Sequence, residues 1–349
     1  MKIMNLEDVR NEARKKLMGI CGVYKDCDGS PMRICQGQSY GKPLKFGGIG
    51  SGTSFHNNFL AFRKYNLKMK IIGDHFEPDT SYDFFGNKLS LPVMAASVAG
   101  VNSFGGESVI SEKEFCRSVV LGAKSAGTVG WRGDTYTYSL ENTFGIDAIA
   151  EANGWGVKIV KPRDQETIMK FFEIAEQARS IAVGTDVDGC ESFAMSAHNI
   201  PVFRKSLDDL KELIASTKLP VIIKGIMCVE DAKLACQAGA AAIVVSNHGG
   251  RVLDHTPGSM DVLADIAIEM KGKIKIFLDG GVRTGYDVIK ALALGAEAVL
   301  IGRDIVRAAV GAGIEGVRIH MEYMQKTLAK AMKMTNCKNL SEISSAILI

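Results

Sequence analysis

The sequence lacks an excess of charge of either sign. Its 42 Lys and Arg residues nearly balance 39 Asp and Glu residues, which leaves a formal net charge of +3 over 349 residues. Such a small net charge generates no field able to attract a polyanion, so bulk electrostatics exclude a nucleic-acid-binding protein. At 46% hydrophobic residues the chain is also too apolar to be intrinsically disordered.

Long apolar runs are missing as well. The apolar stretches, such as residues 241–245, fall far short of the ~20 residues that a membrane-spanning helix needs. The first 16 residues are charged and mixed, without the apolar core and cleavage site of an export signal. We therefore expect a cytoplasmic protein with no membrane partner. Its eight scattered cysteines are expected to be mostly small buried residues and not disulfides.

Short apolar runs alternate with longer helical segments from about residue 91 onwards. The predicted strands are 91–97, 125–130, 156–161, 180–186, 220–225, 241–247, 275–281 and 298–304. Continuous apolar runs indicate a sheet that is covered on both faces or closed on itself. Eight strand–helix units predict an α/β protein, a (β/α)8 TIM barrel. An open doubly wound sheet is the alternative, but it would usually carry its Gly-rich turn early in the chain.

Residues 1–90 differ from the rest. A predicted helix (6–17) precedes an irregular stretch rich in Gly and Cys (19–52), and a second helix is predicted near 57–65. We expect an N-terminal helical and irregular cover over residues 1–90 and the barrel over 91–349, in one domain. Three cysteines, Cys21, Cys27 and Cys35, are spaced unlike a zinc finger or a ferredoxin. With Asp26 or Asp28 they could hold a metal, but we favour incidental thiols in a covering segment and predict no metal site.

Three Gly-rich segments follow the last three predicted strands. They are SNHGGR at 246–251, DGGVR at 279–283 and IGRD at 301–304. In a barrel these loops share the C-terminal face, where active sites lie. Glycine N–H groups, Arg283, Arg303 and helix N-termini predict a phosphate cradle. The first loop carries His248, which can titrate near neutral pH, and Arg251, whose guanidinium suits a carboxylate.

Two charged residues end neighbouring predicted strands. Lys224 ends an apolar strand, and because burying an unpaired ammonium is costly it must meet an anion or a lone pair. It could form a Schiff base or lie against an electron-rich cofactor. Asp186, in GTDVD at 184–188, could orient an imidazole and stabilise its protonated form. The nearby Asp188 could do the same or bind a metal.

With these motifs the block 220–343 resembles the FMN-dependent 2-hydroxy-acid oxidases and dehydrogenases, such as glycolate oxidase, lactate oxidase and mandelate dehydrogenase. The resemblance is carried by IKG at 223–225, SNHGGR followed by LD at 253–254, DGGVR, ALALGA at 291–296, IGR at 301–303 and CKNLSEI at 337–343. Weaker similarity reaches back to about residue 57, through LPVM at 91–94.

The resemblance implies an FMN enzyme, a homo-oligomer such as a tetramer or octamer, that oxidises a small-molecule 2-hydroxy acid to a 2-oxo acid. His248 would take a proton from the substrate, Asp186 would hold His248, and Arg251 would bind the carboxylate. Lys224 would stabilise the negative charge of reduced flavin. The expected FMN contacts are Val98, Ala99, Thr128, Lys158, Lys224, Ser246, Asp279, Gly281, Arg283, Gly302 and Arg303.

The sequence also departs from the family pattern. Lys158 stands at the place matched to a usual Tyr in the third strand, and Gly156 stands at the place of a Gln. The second carboxylate-binding Arg is missing from residues 187–192, and the N-terminal Tyr has no clear counterpart beyond Tyr24. We therefore hypothesise that Lys158 replaces the Tyr and contacts either FMN or an acidic substrate.

Two other functions remain open at this point. One is an FMN-dependent isomerase resembling type 2 isopentenyl diphosphate isomerase, which would not explain His248 with Arg251. The other is a flavin-binding protein that has lost activity. The electron acceptor that reoxidises FMN (O2, a quinone or a protein carrier) stays open. The substrate side chain stays open too, because it depends on the N-terminal region and on the connection at 189–205, an expected lid or active-site loop.

Overall fold

A computed structural model describes residues 4–18 and 47–349. The three N-terminal cysteines and Tyr24 fall outside the described residues. The five described cysteines form no disulfide with one another. No helix in the two described ranges is both long enough and apolar enough to cross a bilayer.

Ten strands and eleven α-helices make up the described chain. The strands are β1 (Tyr82–Phe84), β2 (Asn87–Leu89), β3 (Val93–Ala95), β4 (Gly130–Arg132), β5 (Gly156–Val160), β6 (Ala182–Asp186), β7 (Val221–Ile226), β8 (Ala242–Val245), β9 (Lys275–Asp279) and β10 (Ala298–Ile301). The helices are α1 (Leu6–Leu17), α2 (Thr53–Arg63), α3 (Glu112–Ser125), α4 (Phe144–Glu151), α5 (Gln165–Gln177), α6 (Phe193–Ser196), α7 (Leu207–Ala215), α8 (Val229–Gln237), α9 (Ser259–Met270), α10 (Gly285–Ala293) and α11 (Arg303–Thr335).

The eight strands β3 to β10 form a closed parallel barrel in sequence order, with β10 pairing back to β3. Helices connect successive strands, so the predicted (β/α)8 barrel is confirmed. Side-chain caps define several helix starts, as at Ser111, whose hydroxyl accepts from the N–H of Glu114. The division of the chain at residue 90 stays a prediction.

Two predicted elements lie elsewhere than expected. The second barrel strand was placed at 125–130, but α3 continues to Ser125 and β4 occupies Gly130–Arg132. The sequence predicts a last helix over 313–334, yet α11 begins at Arg303 and bends at Ala312 and Gly313, where Gly313 has φ of +57°. The predicted start of this helix therefore falls at the bend, and the helical residues 303–312 before it were not predicted.

Alternate residues of the barrel strands face two separate apolar layers. Val157 and Ile159 of β5 belong to the barrel interior with Trp131 and Phe277, whereas Val160 packs in the layer between strands and helices. Successive side chains of a strand point to opposite faces. In β5, odd-numbered residues therefore face the barrel axis and even-numbered residues face the helices.

A hairpin of β1 and β2 closes the N-terminal end of the barrel. Phe84 is fully buried, with its ring centroid 5.8 Å from that of Phe277 and 6.2 Å from that of Trp131. The Tyr82 hydroxyl lies 3.4 Å from Glu297, which directly precedes β10. The hairpin thus completes the barrel core at the end opposite to the predicted site.

Replacing the hairpin aromatic should test this closure. Phe84→Ala removes a fully buried ring and is expected to lower the free energy of unfolding by about 3–5 kcal/mol. Lys88→Ala, on the exposed side of β2, should change it by less than about 0.5 kcal/mol. Thermal or urea unfolding of both variants measures this. Equal stability of Phe84→Ala and the wild type would show that the hairpin contributes nothing to the barrel core.

Candidate active site

A cavity of about 200 Å³ opens at the C-terminal end of the barrel. Ten of the residues predicted for the site line it: Val98, Ala99, Lys224, His248, Arg251, Asp279, Gly281, Arg283, Gly302 and Arg303. They come from the C-terminal ends of β7 and β9 and from the segments after β3, β8, β9 and β10, which the barrel brings to one face. The three Gly-rich segments of the sequence therefore meet at one cavity.

His248 is held by its backbone and by its ring. The residue adopts a left-handed conformation, with φ of +55°, which is costly for a residue with a Cβ and is typical of functional sites. Its N–H donates to the Ser246 hydroxyl at 3.0 Å, and the Lys224 ammonium donates to the same oxygen at 2.9 Å. Ser246 thereby couples the position of the imidazole to that of the lysine.

Asp188 is the carboxylate bonded to the imidazole. Nδ1 of His248 lies 2.9 Å from Oδ1 of Asp188 and 3.7 Å from Oδ2 of Asp186. The prediction that Asp186 holds the histidine is therefore wrong in this geometry, and Asp188, left open by the sequence, does so. Because a carboxylate only accepts, the neutral ring donates from Nδ1, which leaves the lone pair on Nε2.

Asp186 instead pairs with Lys161, a residue that the sequence did not single out. The Lys161 ammonium donates to Oδ2 of Asp186 in a short contact and lies 3.4 Å from Nε2 of His248. Lys161 directly follows β5, is 7% exposed and lines the cavity. Its place at the C-terminal end of a barrel strand was the available signal.

The surroundings of His248 lower the pKa of its imidazole. Burial is the largest cause, and the ammonium groups of Lys161 and Lys224 act in the same direction, whereas Asp188 opposes them. The net direction is downwards from the ordinary value of 6.5. The imidazole is therefore neutral, and able to accept a proton, at lower pH than a free one.

Lys224 carries the buried positive charge of the cavity. Burial alone would lower the pKa of its ammonium, but the surrounding carboxylates, led by Asp279 and Asp188, raise it above its ordinary value. The nearest oxygen of Asp279 is 3.3 Å away. These carboxylates therefore favour the protonated ammonium, which disfavours the Schiff base, since that reaction needs a neutral amine.

Lys158 lies on the wrong face of β5 for the predicted role. Its side chain points into the helix layer, where the ammonium donates to the Gly133 carbonyl at 2.5 Å and lies 4.8 Å from the centroid of the Tyr138 ring. It does not line the cavity. In a strand, a shift of one residue exchanges the two faces, and the inward positions are Val157, Ile159 and, beyond the strand end, Lys161.

Two further predicted cofactor contacts are displaced. Thr128 precedes β4, and its hydroxyl donates to the Val93 carbonyl at 2.6 Å, so it lies at the N-terminal end of the strand, away from the cavity. The cause is the misplaced second strand, whose C-terminal end was set too early. Ser246 is fully buried behind the cavity wall and acts through Lys224 and His248.

Two buried polar atoms of the cavity lack a hydrogen-bond partner in the described part of the protein and could pair with a phosphorylated flavin. Within the described residues, Oδ1 of Asp279 and Nε of Arg283 are buried and make no hydrogen bond. An acceptor suits a sugar-alcohol hydroxyl and a donor suits a phosphate oxygen. Gly302 and Arg303 stand at the start of α11, where helix N–H groups favour an anion. These residues fit FMN.

Asp186, Asp188 and His248 also lie close enough together to suggest a metal site. The Lys161 ammonium already pairs with Asp186, and the Lys224 charge acts on Asp188. The negative charge of the cluster is therefore balanced by side chains, which disfavours a further cation.

The burial of Lys158 in the helix layer predicts how the free energy of unfolding depends on pH. Burial lowers the pKa of its ammonium to about 8, against 10.5 ordinarily. Between these values the unfolded lysine is protonated and the folded one is not, so its contribution to stability rises with pH. Relative to Lys158→Met, the wild type should gain up to about 1.4 kcal/mol per pH unit across this window. Melting both proteins between pH 7 and 10 measures this, and a constant difference would contradict it.

Comparison with known proteins agrees with this geometry. The profile of the family described as FMN-dependent dehydrogenase matches residues 45–198 and 191–349. A 2-hydroxyacid oxidase of Dictyostelium discoideum is 47% identical over 338 aligned positions, covering 86% of this chain and 84% of the relative. A peroxisomal (S)-2-hydroxyacid oxidase of Arabidopsis thaliana is 31% identical, covering 85% and 88%.

Solved structures agree as well. The crystal structure of mandelate oxidase superposes with a TM-score of 0.79 at 28% identity, covering 100% of this chain and 98% of that one. A structure of mandelate oxidase with benzoyl-formic acid gives a TM-score of 0.77. The chain thus belongs to the FMN-dependent 2-hydroxy-acid oxidase family, as a flavoprotein oxidoreductase with FMN as its cofactor.

Proposed function

We propose that the cavity oxidises a 2-hydroxy acid with His248 as the base and Arg251 as the carboxylate ligand. The observation that carries this proposal is the fixed imidazole: Nδ1 is bonded to Asp188 at 2.9 Å, while the ring lines the cavity with the lone pair on Nε2, whose hydrogen-bonding neighbour there is the Lys161 ammonium at 3.4 Å. A general base needs its lone pair within hydrogen-bond reach of the substrate and a proton affinity suited to the working pH. An isomerase acting on a diphosphate would use neither this base nor Arg251.

The cofactor would occupy the remaining wall of the cavity. Gly281, Arg283, Gly302 and Arg303 would hold its phosphate, and Asp279 would accept from its ribityl chain. Val98, Ala99 and Lys224 would lie at its ring. When bound, FMN supplies an acceptor for the two electrons released by the substrate, and a buried cation beside the ring favours the anionic reduced form.

The protein's own residues bind, orient and deprotonate the substrate. Arg251 and His248 both line the cavity, so a carboxylate bound at the guanidinium would hold the substrate in the cavity that the imidazole faces. Nε2 of His248 takes the proton, and the Asp188 carboxylate stabilises the imidazolium that results. Phe193 and Met195 of the 189–205 segment line the cavity and would exclude water from the reacting centre.

The direct test mixes purified, FMN-loaded protein with a panel of 2-hydroxy acids in the absence of oxygen. We expect at least one of them to bleach the yellow flavin absorbance and to yield the matching 2-oxo acid in equal amount. A yellow protein that no hydroxy acid bleaches but that, once reduced, converts a diphosphate would favour the isomerase. A yellow protein inert to both would favour lost activity.

The acid side of the pH profile should reflect the imidazole. Because only neutral His248 accepts a proton, kcat/KM should fall as pH decreases through the histidine pKa, and that midpoint should lie below 6.5. Steady-state rates between pH 4.5 and 8 locate it. A midpoint clearly above 6.5 would show that the carboxylates dominate the surroundings of the ring.

Asp188→Asn tests the assignment of the imidazole partner. The amide keeps the shape but can favour the other tautomer and cannot stabilise an imidazolium, so kcat should fall by about 10²–10⁴-fold. FMN content and melting temperature serve as controls, since the change is isosteric. Retention of more than about a tenth of wild-type kcat would remove Asp188 from the mechanism.

A cytoplasmic location and a homo-oligomeric state, tetramer or octamer, are part of the proposal. The balanced composition and the family resemblance support them. Gel filtration with light scattering measures the assembly, and fluorescence of a tagged protein shows the compartment.

A further inference from the structure

Lys161 occupies a position in the cavity that the proposed roles leave without a function. Its backbone N–H donates to Oδ2 of Asp134 at 3.1 Å, and that carboxylate is held by two hydrogen bonds from Arg163, of 2.8 and 2.9 Å. Its ammonium is held by Asp186. Both ends of this lysine are therefore fixed, and at 7% exposure little of it meets solvent.

The ammonium lies beside the reactive nitrogen of the base. Nζ of Lys161 is 3.4 Å from Nε2 of His248. A substrate hydroxyl that transfers its proton must lie about 2.6–3.2 Å from Nε2. An oxygen at that distance can also lie within hydrogen-bond reach of Nζ, because the three atoms then form a triangle of nearly equal sides. An ammonium has three N–H donors. The Lys161 ammonium directs one to Asp186 and one to Nε2 of His248, which leaves the third for a substrate oxygen.

We propose that Lys161 donates a hydrogen bond to the oxygen on C2 of the substrate and stabilises the charge that develops there. This inference rests on the proposed function. In the oxidation the C2–H and O–H bonds break and C2=O forms. When bound, FMN would accept two electrons and one proton, and Nε2 of His248 would accept the second proton. The C2 oxygen becomes more negative as its proton leaves, and a fixed ammonium beside it lowers the energy of that change.

The other cationic side chains that line the cavity already have a partner or an assigned ligand. Lys224 donates to Ser246 and pairs with Asp279. Arg251 is assigned to the carboxylate, and residues 187–192 contain no second guanidinium. Lys161 therefore distinguishes a 2-oxo or 2-hydroxy acid from a plain carboxylic acid, whereas Arg251 binds both kinds of ligand.

Lys161→Met is the test. Lys158→Met is its matched control, because Lys158 belongs to the same strand region but faces the helix layer and not the cavity. Binding to the FMN-loaded protein is measured by calorimetry with two ligand pairs, pyruvate with propionate and phenylglyoxylate with phenylacetate. The members of each pair differ by the C2 oxygen. Lys161→Met should weaken binding of the 2-oxo acid by about 10-fold or more and change binding of the plain acid by less than about 2-fold. Lys158→Met should change neither.

Kinetic measurements distinguish a direct contact of Lys161 with the substrate from an effect of Lys161 on the pKa of His248. If Lys161 only lowered the pKa of His248, raising the pH would restore the rate of Lys161→Met. We expect kcat to stay lower by about 10²-fold on the alkaline plateau, with partial recovery in Lys161→Arg, which keeps a donor. The Arg variant also covers the case in which the Met variant fails to bind FMN.

Three results would overturn the inference. Equal weakening of both members of a pair would assign Lys161 to the carboxylate. Unchanged binding and rate in Lys161→Met would remove it from the site. A wild type that binds neither 2-oxo acid more tightly than its plain counterpart would show that the C2 oxygen meets no donor. Failure of the proposed function itself is a separate result, because it would appear as a wild type that oxidises no 2-hydroxy acid.

Discussion

The burial of alternating charges at the C-terminal mouth of the barrel is the constraint on which the site depends. Asp186 pairs with Lys161, and Asp279 pairs with Lys224, with every one of these side chains at most 10% exposed. A buried charge without a partner is costly, so each of these groups can remain only where its neighbour compensates it. His248 lies within this arrangement. Its orientation follows from the Asp188 carboxylate, and its pKa is lowered first by burial and then by the ammonium groups of Lys161 and Lys224.

The N-terminal segment contributes to the same mouth. The N–H of Ile49 donates to the Gly250 carbonyl at 2.8 Å, and the Ser51 hydroxyl donates to Asp254 at 2.8 Å. Asn58 of α2 donates to Asn247 at 2.8 Å. These bonds connect residues 47–63 to both sides of the histidine loop. Since they rigidify the loop that carries the base and the carboxylate ligand, the cover is part of the site as well as of the fold.

The architecture and the location of the site were predictable from the sequence, because continuous apolar strands and Gly-rich strand ends are local signals. The faces of individual strands were not. Lys158 and Lys161 are three residues apart on one strand region, and only the folded barrel shows that the second lines the cavity and the first does not. Likewise Asp186 and Asp188 stand two residues apart. Their roles depend on a turn after β6, which the pattern of apolar residues does not specify.

The central claim is that Asp188 fixes His248 as a neutral ring with its proton on Nδ1 and its lone pair on Nε2. The direct measurement is nitrogen-15 NMR of histidine-labelled protein, with the signals of His248 identified by their loss in His248→Asn. The account predicts a ring protonated on Nδ1 at neutral pH that titrates below pH 6.5. A ring protonated on Nε2, or one that titrates above 6.5, would contradict it.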